Sequence, residues 1–264
     1  MLISLTLRIN RYNISYNIRV FKDSYNGSDV GGGLQAREIE PKLKQLSRLA
    51  WSTEPALAQR LDEVRRWIKD IRPGSLTQKR LLVGFLLELI KDGEFWLKLQ
   101  SLTNEERQIF LQHLPSPITY WYESLFPKWF NKNDHKFYIW KQKLRSGEFN
   151  QKDAQLIESI ARQIKSRDGC VVHRYIADLS MATDVIVSSN TGKPLCVQLT
   201  TISGEFCNYK YKEWKDTLQQ WKIRRGIFVS YNPSQDRSVI QLVNLILHNS
   251  KHLKEAKYIK FCFR

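Results

Sequence analysis

The sequence predicts an α/β domain at its C-terminal end, preceded by a mostly helical region and an N-terminal β-hairpin. Three observations carry this. Residues 150–264 read in the order helix, three strands, helix, strand, helix, strand. Between residues 41 and 114 apolar side chains recur at helical spacing. Residues Leu2 to Lys22 alternate polar and apolar, with Leu5, Leu7 and Ile9 answered by Ile14, Tyr16, Ile18 and Val20 across a turn at Asn10 to Asn13.

The run Asp23 to Gly33 contains Asn26-Gly27-Ser28 and Gly31-Gly32-Gly33 and has linker composition. The expected division is therefore 1–33 as hairpin and linker, 34–149 as helical domain and 150–264 as α/β domain. In the helical region, Pro41 is expected to open a helix through Leu43, Leu46, Leu49 and Ala50. Thr53-Glu54-Pro55 supplies an N-cap and a first-turn proline for a second helix along Leu57, Leu61, Val64, Trp67 and Ile68. Arg72-Pro73-Gly74-Ser75 breaks the pattern and Thr77 caps a helix over Leu81 to Ile90. Thr103 with Glu106 has the form of a capping box ahead of Ile109, Phe110 and Leu114. The aromatic stretch with Trp121, Tyr122, Phe126, Trp129 and Phe130 reads as a packing cluster, because aromatic side chains build cores more often than platforms for stacked bases.

From 150 onward, Leu156, Ile157, Ile160, Ala161 and Ile164 mark an amphipathic helix ended by Asp168-Gly169. Cys170 to Ala177 reads as a strand. Thr183–Val187 and Lys193–Thr201 form a hairpin across Ser188 to Gly192. A helix over Tyr209 to Lys222 aligns Trp214, Leu218 and Trp221, and Gly226 to Tyr231 is a short buried strand. Val239 to Leu247 and Tyr258 to Phe263 close the chain as helix and strand.

Composition narrows the function. The net charge is +16, and residues 151–264 carry 18 Lys and Arg against 10 Asp and Glu, half of that excess. A body basic throughout attracts polyanions, of which nucleic acid is the commonest; a surface that only aids solubility or meets an acidic protein is the alternative. Lys212, Lys215, Lys222, Arg224 and Arg225 are the candidate phosphate contacts, and a solvated helix end is the plainer reading of the last three. No apolar run approaches the roughly 20 residues of a membrane span, and the N-terminus has no signal-peptide core. The four cysteines and five histidines show no metal-ligand spacing. Buried thiols in a reducing cytoplasm are the expectation.

The hairpin holds the chemistry. Side chains two apart on a strand share a face, so Gln198 and Thr200 point the same way, with Asp184 beside them on the neighbouring strand. A carboxylate and a carbonyl oxygen so placed suit Mg²⁺ (or Mn²⁺), which prefers oxygen ligands. Gln198 on an otherwise apolar strand needs either a metal or a hydrogen-bond partner.

Helix, three strands, helix and strand, with an acid entering the second strand and a polar pair closing the third, resembles the PD-(D/E)XK, or restriction-endonuclease-like, nuclease superfamily over roughly Asn150 to Tyr231. The resemblance implies a central mixed sheet flanked by helices and metal-dependent hydrolysis of DNA phosphodiester bonds. Residue by residue, it makes Glu158 the helix acid and Asp184 the motif Asp, with Thr183 in place of the motif proline. Gln198 then stands at the third-strand acid, an exchange also found in Mrr-like enzymes, and Thr200 at the lysine. Glu158, Asp184 and Gln198 are the implied metal ligands. The missing lysine is the main departure. Lys193, at the start of the third strand, and Lys210, at the start of the following helix, are the displaced candidates. The resemblance thus implies an endonuclease acting on double-stranded DNA, or a nuclease-fold module that keeps only DNA binding or assembly with protein partners.

Overall fold

The computed structural model describes residues 36–71, 79–146, 151–232 and 238–263. The expected N-terminal hairpin and linker, the break at Arg72 to Ser75 and the Thr77 cap lie outside these. Two compact units emerge, one from the described residues of 1–70 and 89–115, the other from those of 71–88 and 116–264.

The first unit is helical: α1 (Ala36–Ala50), α2 (Pro55–Lys69), the second half of α3 (Lys79–Gln100) and α4 (Asn104–Gln112). Leu43, Leu46 and Ala50 of α1 are buried, as are Leu57, Leu61 and Val64 of α2, the stripes the sequence marks. Pro41 does not open its helix but lies inside α1, where it removes one backbone donor. Pro55 does sit at the first turn of α2, but the cap residue is Glu54 and its side chain makes no capping bond. Helix α3 runs past Ile90 to Gln100. Its Gly93 is needed for close approach, since a Cβ there would lie 2.7 Å from Leu46 Cδ2. The capping box on α4 is formed: Thr103 Oγ1 accepts from the Glu106 amide at 3.2 Å, and Glu106 Oε2 accepts from the Thr103 amide at 2.9 Å.

The second unit holds the first half of α3 and then α5 (Ser116–Tyr120), a single π-helical turn (Trp121–Leu125), α6 (Phe126–Asn131) and α7 (Phe137–Ser146). Trp121, Tyr122, Phe126, Trp129 and Phe130 are all buried, so this segment is core. Asp134 is its polar centre, itself 4% exposed. The carboxylate accepts from Trp129 Nε1 at 3.3 Å, Trp140 Nε1 at 2.9 Å, Ser180 Oγ at 2.6 Å and the Lys136 amide at 3.0 Å. A buried charge persists only where donors satisfy it in this way.

Next come α8 (Gln151–Lys165), β1 (Cys170–Val172), α9 (Tyr175–Met181), β2 (Val185–Ser188), β3 (Leu195–Thr200), α10 (Gly204–Gln220), β4 (Arg225–Ser230), α11 (Ser238–His252) and β5 (Lys257–Cys262). The sheet order is β1-β2-β3-β4-β5; β1, β2 and β3 run antiparallel, while β3, β4 and β5 run parallel. One face carries Val185, Val187, Val197, Leu199, Ile227 and Val229 against Ile160 and Ile164 of α8 and Leu242, Val243 and Ile246 of α11. The other carries Cys196, Gln198, Gly226 and Phe228, where Trp214 and Tyr211 of α10 pack on Phe228. A Cβ on Gly226 would come within 2.6 Å of Leu218 and 2.9 Å of Trp214, so the residue must be small for α10 to seat.

The strand expected over Cys170 to Ala177 is corrected: β1 stops at Val172 and α9 follows. Tyr175 and Ile176 have strand propensity, but the Tyr175 amide donates to Glu88 Oε1 at 2.7 Å, and Ile176, Ala177, Ser180 and Met181 bury one helical side. Tertiary burial overrides the local preference. Among the described residues no helix is long and apolar enough to cross a membrane.

Asp134→Ala is expected to cost about 2–4 kcal/mol of stability, because it strands two buried indole N–H donors and a hydroxyl. Urea unfolding of the variant against the parent checks this; a difference below about 1 kcal/mol would contradict it.

Candidate functional site

The site is built where β2 enters the sheet. Helix α9 ends at Ala182, which takes a left-handed backbone (φ 49°), and the Thr183 amide returns to the Ala177 carbonyl at 3.0 Å. Two tryptophans of α10 and its end hold this corner: Trp214 Nε1 donates to the Ala182 carbonyl at 3.0 Å and Trp221 Nε1 to the Ser180 carbonyl at 2.9 Å. The next residue is Asp184. Its amide donates to the Val197 carbonyl at 2.9 Å, which extends the β2–β3 ladder by one residue and sets Asp184 opposite Gln198.

The Asp184 side chain is 8% exposed. Gln198 Nε2 donates to both of its oxygens, at 2.9 and 2.8 Å, and the Leu199 amide donates to Oδ2 at 2.6 Å. Burial, and then the negative charge of Asp178 on α9, push the Asp184 carboxyl well above the usual carboxylate range; the Leu199 and Gln198 hydrogen bonds and the Lys210 charge pull the other way. Two residues along β3, Thr200 Oγ1 accepts from Lys210 Nζ at 3.0 Å. Asp184, Gln198, Thr200 and Lys210 therefore lie together on the α10 face of the sheet, at the C-terminal end of β3. Among the two displaced lysines, Lys210 is the one at the site. Lys193 precedes β3 at its other end, is exposed and lies 3.9 Å from Glu255; the six residues of β3, roughly 20 Å of strand, run from there to Thr200.

Two expectations need correcting. Glu158 does not join Asp184 and Gln198: it is exposed on α8, whose Ile160 and Ile164 pack on the opposite face of the sheet. Among the described residues no group of three His, Cys, Asp or Glu side chains converges to hold a metal. The second carboxylate that Asp184 feels is Asp178, just past the expected Cys170–Ala177 strand and within α9. Arg225 is not a phosphate contact either. It is 5% exposed, and its guanidinium donates to the carbonyls of Leu253, Pro194, Asn249 and Ser250 at 2.9–3.1 Å. That places the cation on the last turn of α11, where the helix dipole favours it.

The other basic candidates remain on the surface. Lys212, Lys222 and Arg224 are exposed and Lys215 half-buried. Lys222 and Arg224 gather with Lys128 and Lys132, whose amines donate to the Lys222 and Gln220 carbonyls at 3.4 and 3.0 Å. Burial first, and then the charges of Lys132, Arg224 and Lys222, lower the Lys128 pKa. This basic cluster surrounds the start of β4, whereas Thr200 pairs with Ser230 at its end. Comparisons with protein-family models, with curated proteins and with solved structures each return no match.

Chemically, the site offers a buried acid, an amide that can face it with either end, and an amine one step along the strand. An amide presents nitrogen to a bare carboxylate; rotated by 180°, it presents oxygen to a cation beside that carboxylate. A cation beside Asp184 would offset first the burial and then the Asp178 repulsion that raise its pKa.

The raised pKa fixes a pH dependence. The folded state holds the Asp184 proton more tightly than the unfolded state, so stability is lost as pH rises from the unfolded value near 4 through the folded one. Asp184→Asn removes that loss. It is expected to be more stable than the parent at pH 8, with the gap closing towards pH 4; denaturant titrations at both pH values check it, and a pH-independent gap would contradict it.

Proposed function

We propose that the sheet-bearing unit is a divergent restriction-endonuclease-like fold that binds double-stranded DNA and hydrolyses phosphodiester bonds with Mg²⁺ or Mn²⁺. The observation that carries this is the line Asp184, Gln198, Thr200, Lys210 on one sheet face. The amine missing from the third strand is supplied from the following helix, hydrogen-bonded to the residue that stands in its place. The order α8, β1, β2, β3, α10 and β4, with α9 inserted between β1 and β2, antiparallel pairing through β3 and a parallel β4, supports the fold assignment.

In this reading Asp184, Asp178 and the Gln198 carbonyl hold the ion. When bound, the ion polarises the scissile phosphate and lowers the pKa of water. Lys210 keeps a positive charge beside the phosphate and stabilises the negative charge that builds on its oxygens. Thr200 positions that amine. The surrounding apolar sheet excludes water and strengthens each of these interactions. The exposed lysines and arginines, Lys212, Lys222 and Arg224 among them, supply the sequence-independent attraction to the DNA backbone.

A second reading is a nuclease-fold module kept for DNA binding or for assembly with protein partners. The tight closure of Gln198 and the Leu199 amide on Asp184 favours it, since those bonds satisfy the carboxylate with no ion.

The test is plasmid cleavage. The proposal expects nicking or linearisation of supercoiled DNA with Mg²⁺ or Mn²⁺, abolished in Asp184→Ala. Lys210→Met is expected to lower the rate about 100- to 1000-fold, with DNA affinity nearly unchanged in both variants. Absence of cleavage with either metal, alongside DNA binding that weakens steeply with salt, selects the second reading.

A further inference from the structure

Two cysteines outside that site lie against each other. Cys207, in the first turns of α10, is buried, and its Sγ is 3.8 Å from the Sγ of Cys262 at the end of β5. Cys262 is exposed. The pair joins segments 55 residues apart in sequence, and closing it requires the sulfurs to approach by somewhat under 2 Å to reach the ordinary S–S distance of about 2.05 Å. We propose that Cys207 and Cys262 are a dithiol that closes to a disulfide on reaction with an anionic, low-molecular-weight disulfide of the glutathione type.

The surroundings favour this reaction. Cys262 lines a cavity of about 610 Å³ at the C-terminal ends of β3, β4 and β5. Lys260, Asn208 and Ser203 share the lining, with Lys260 Nζ donating to Asn208 Oδ1 at 2.5 Å. A cavity of this size admits a small molecule, and its lysine suits one bearing carboxylates. The chain's other thiols compete poorly. Burial pushes Cys196 up to about 12 and Cys170 up to about 11, which withholds the reactive thiolate.

The chemistry balances in two exchanges. The Cys262 thiol loses its proton and attacks one sulfur of the small disulfide, releasing one small thiol and leaving a mixed disulfide on Cys262. Cys207 Sγ then loses its proton and attacks Cys262 Sγ, displacing the second small thiol. Two protein S–H groups are oxidised to one S–S bond, and the small disulfide is reduced to two thiols.

The bond would add a covalent tie to an end of α10 held to the sheet by the buried Cys207 and by the Lys260–Asn208 and Lys210–Thr200 hydrogen bonds. The N-cap Ser203 makes no side-chain capping bond, and Phe206 and Tyr209 are exposed. Lys210 stands one turn beyond Cys207. Oxidation therefore pins to β5 the turn of helix that leads into Lys210.

The experiment treats the 264-residue chain with glutathione disulfide, alkylates it under denaturing conditions and maps its peptides by mass spectrometry, with a thermal melt in parallel. The proposal expects Cys170 and Cys196 to be alkylated, the Cys207 and Cys262 peptides to be joined, and the Tm to rise by about 5–10 °C, reversibly with dithiothreitol. In Cys262→Ser, an exposed position where a fold defect is not expected, the Tm should not move and Cys207 should be alkylated. Full alkylation of Cys207 in the treated parent, a glutathione adduct that persists on Cys262, or a bond between two chains would each overturn the proposal.

Discussion

A carboxylate withdrawn from water must be satisfied from within, and Asp184 is the residue around which the β2–β3 pairing at this end of the sheet is arranged. Only a β2–β3 pairing with Asp184 opposite Gln198 brings the amide side chain and the Leu199 N–H onto the same two oxygens. A one-residue slip would turn Gln198 into the apolar face that holds Val197 and Leu199. The register is thus fixed twice, by the hydrophobic face and by the acid. The corner that delivers Asp184 depends in turn on Trp214 and Trp221, so the seating of α10 on Gly226 and Phe228 also locates Lys210.

That economy explains why burial and chemistry coincide here. The desolvation that raises the Asp184 pKa lowers stability at neutral pH, and a cation or an amine beside it recovers the loss. Asp134, also buried, has four donors inside an aromatic core. The contrast between the two acids separates a structural charge from one held next to a neighbouring carboxylate and a lysine.

Much of this was legible in the sequence, for reasons that differ by element. Strand alternation is enough to set Asp184, Gln198 and Thr200 on one face, because a period of two leaves little choice. The Thr103–Glu106 capping box is local and therefore readable. What failed depended on distant partners. Helix α9 is hidden in residues with strand propensity, because Glu88, 87 positions away, satisfies the Tyr175 amide. Asp178, in the same helix, is equally out of sight. Arg225 reads as a surface cation until three carbonyls at the end of α11 and that of Pro194 enclose it. Glu158 and Lys193 sit at plausible spacings, yet spacing does not say which face of the sheet a helix covers or which end of a strand carries the site. Lys210 could be named, but only the packing of α10 distinguishes it from the other basic residues.

The central proposal is that Asp184, Asp178 and the Gln198 carbonyl hold a divalent cation beside the Lys210 amine. Crystals of the protein soaked in Mn²⁺ and recorded at the manganese edge test it most directly. The account predicts an anomalous peak within about 2.5 Å of an Asp184 oxygen, with the Gln198 amide rotated to present Oε1. Density showing Gln198 still donating to both Asp184 oxygens, with no peak beside them at millimolar Mn²⁺, would contradict it.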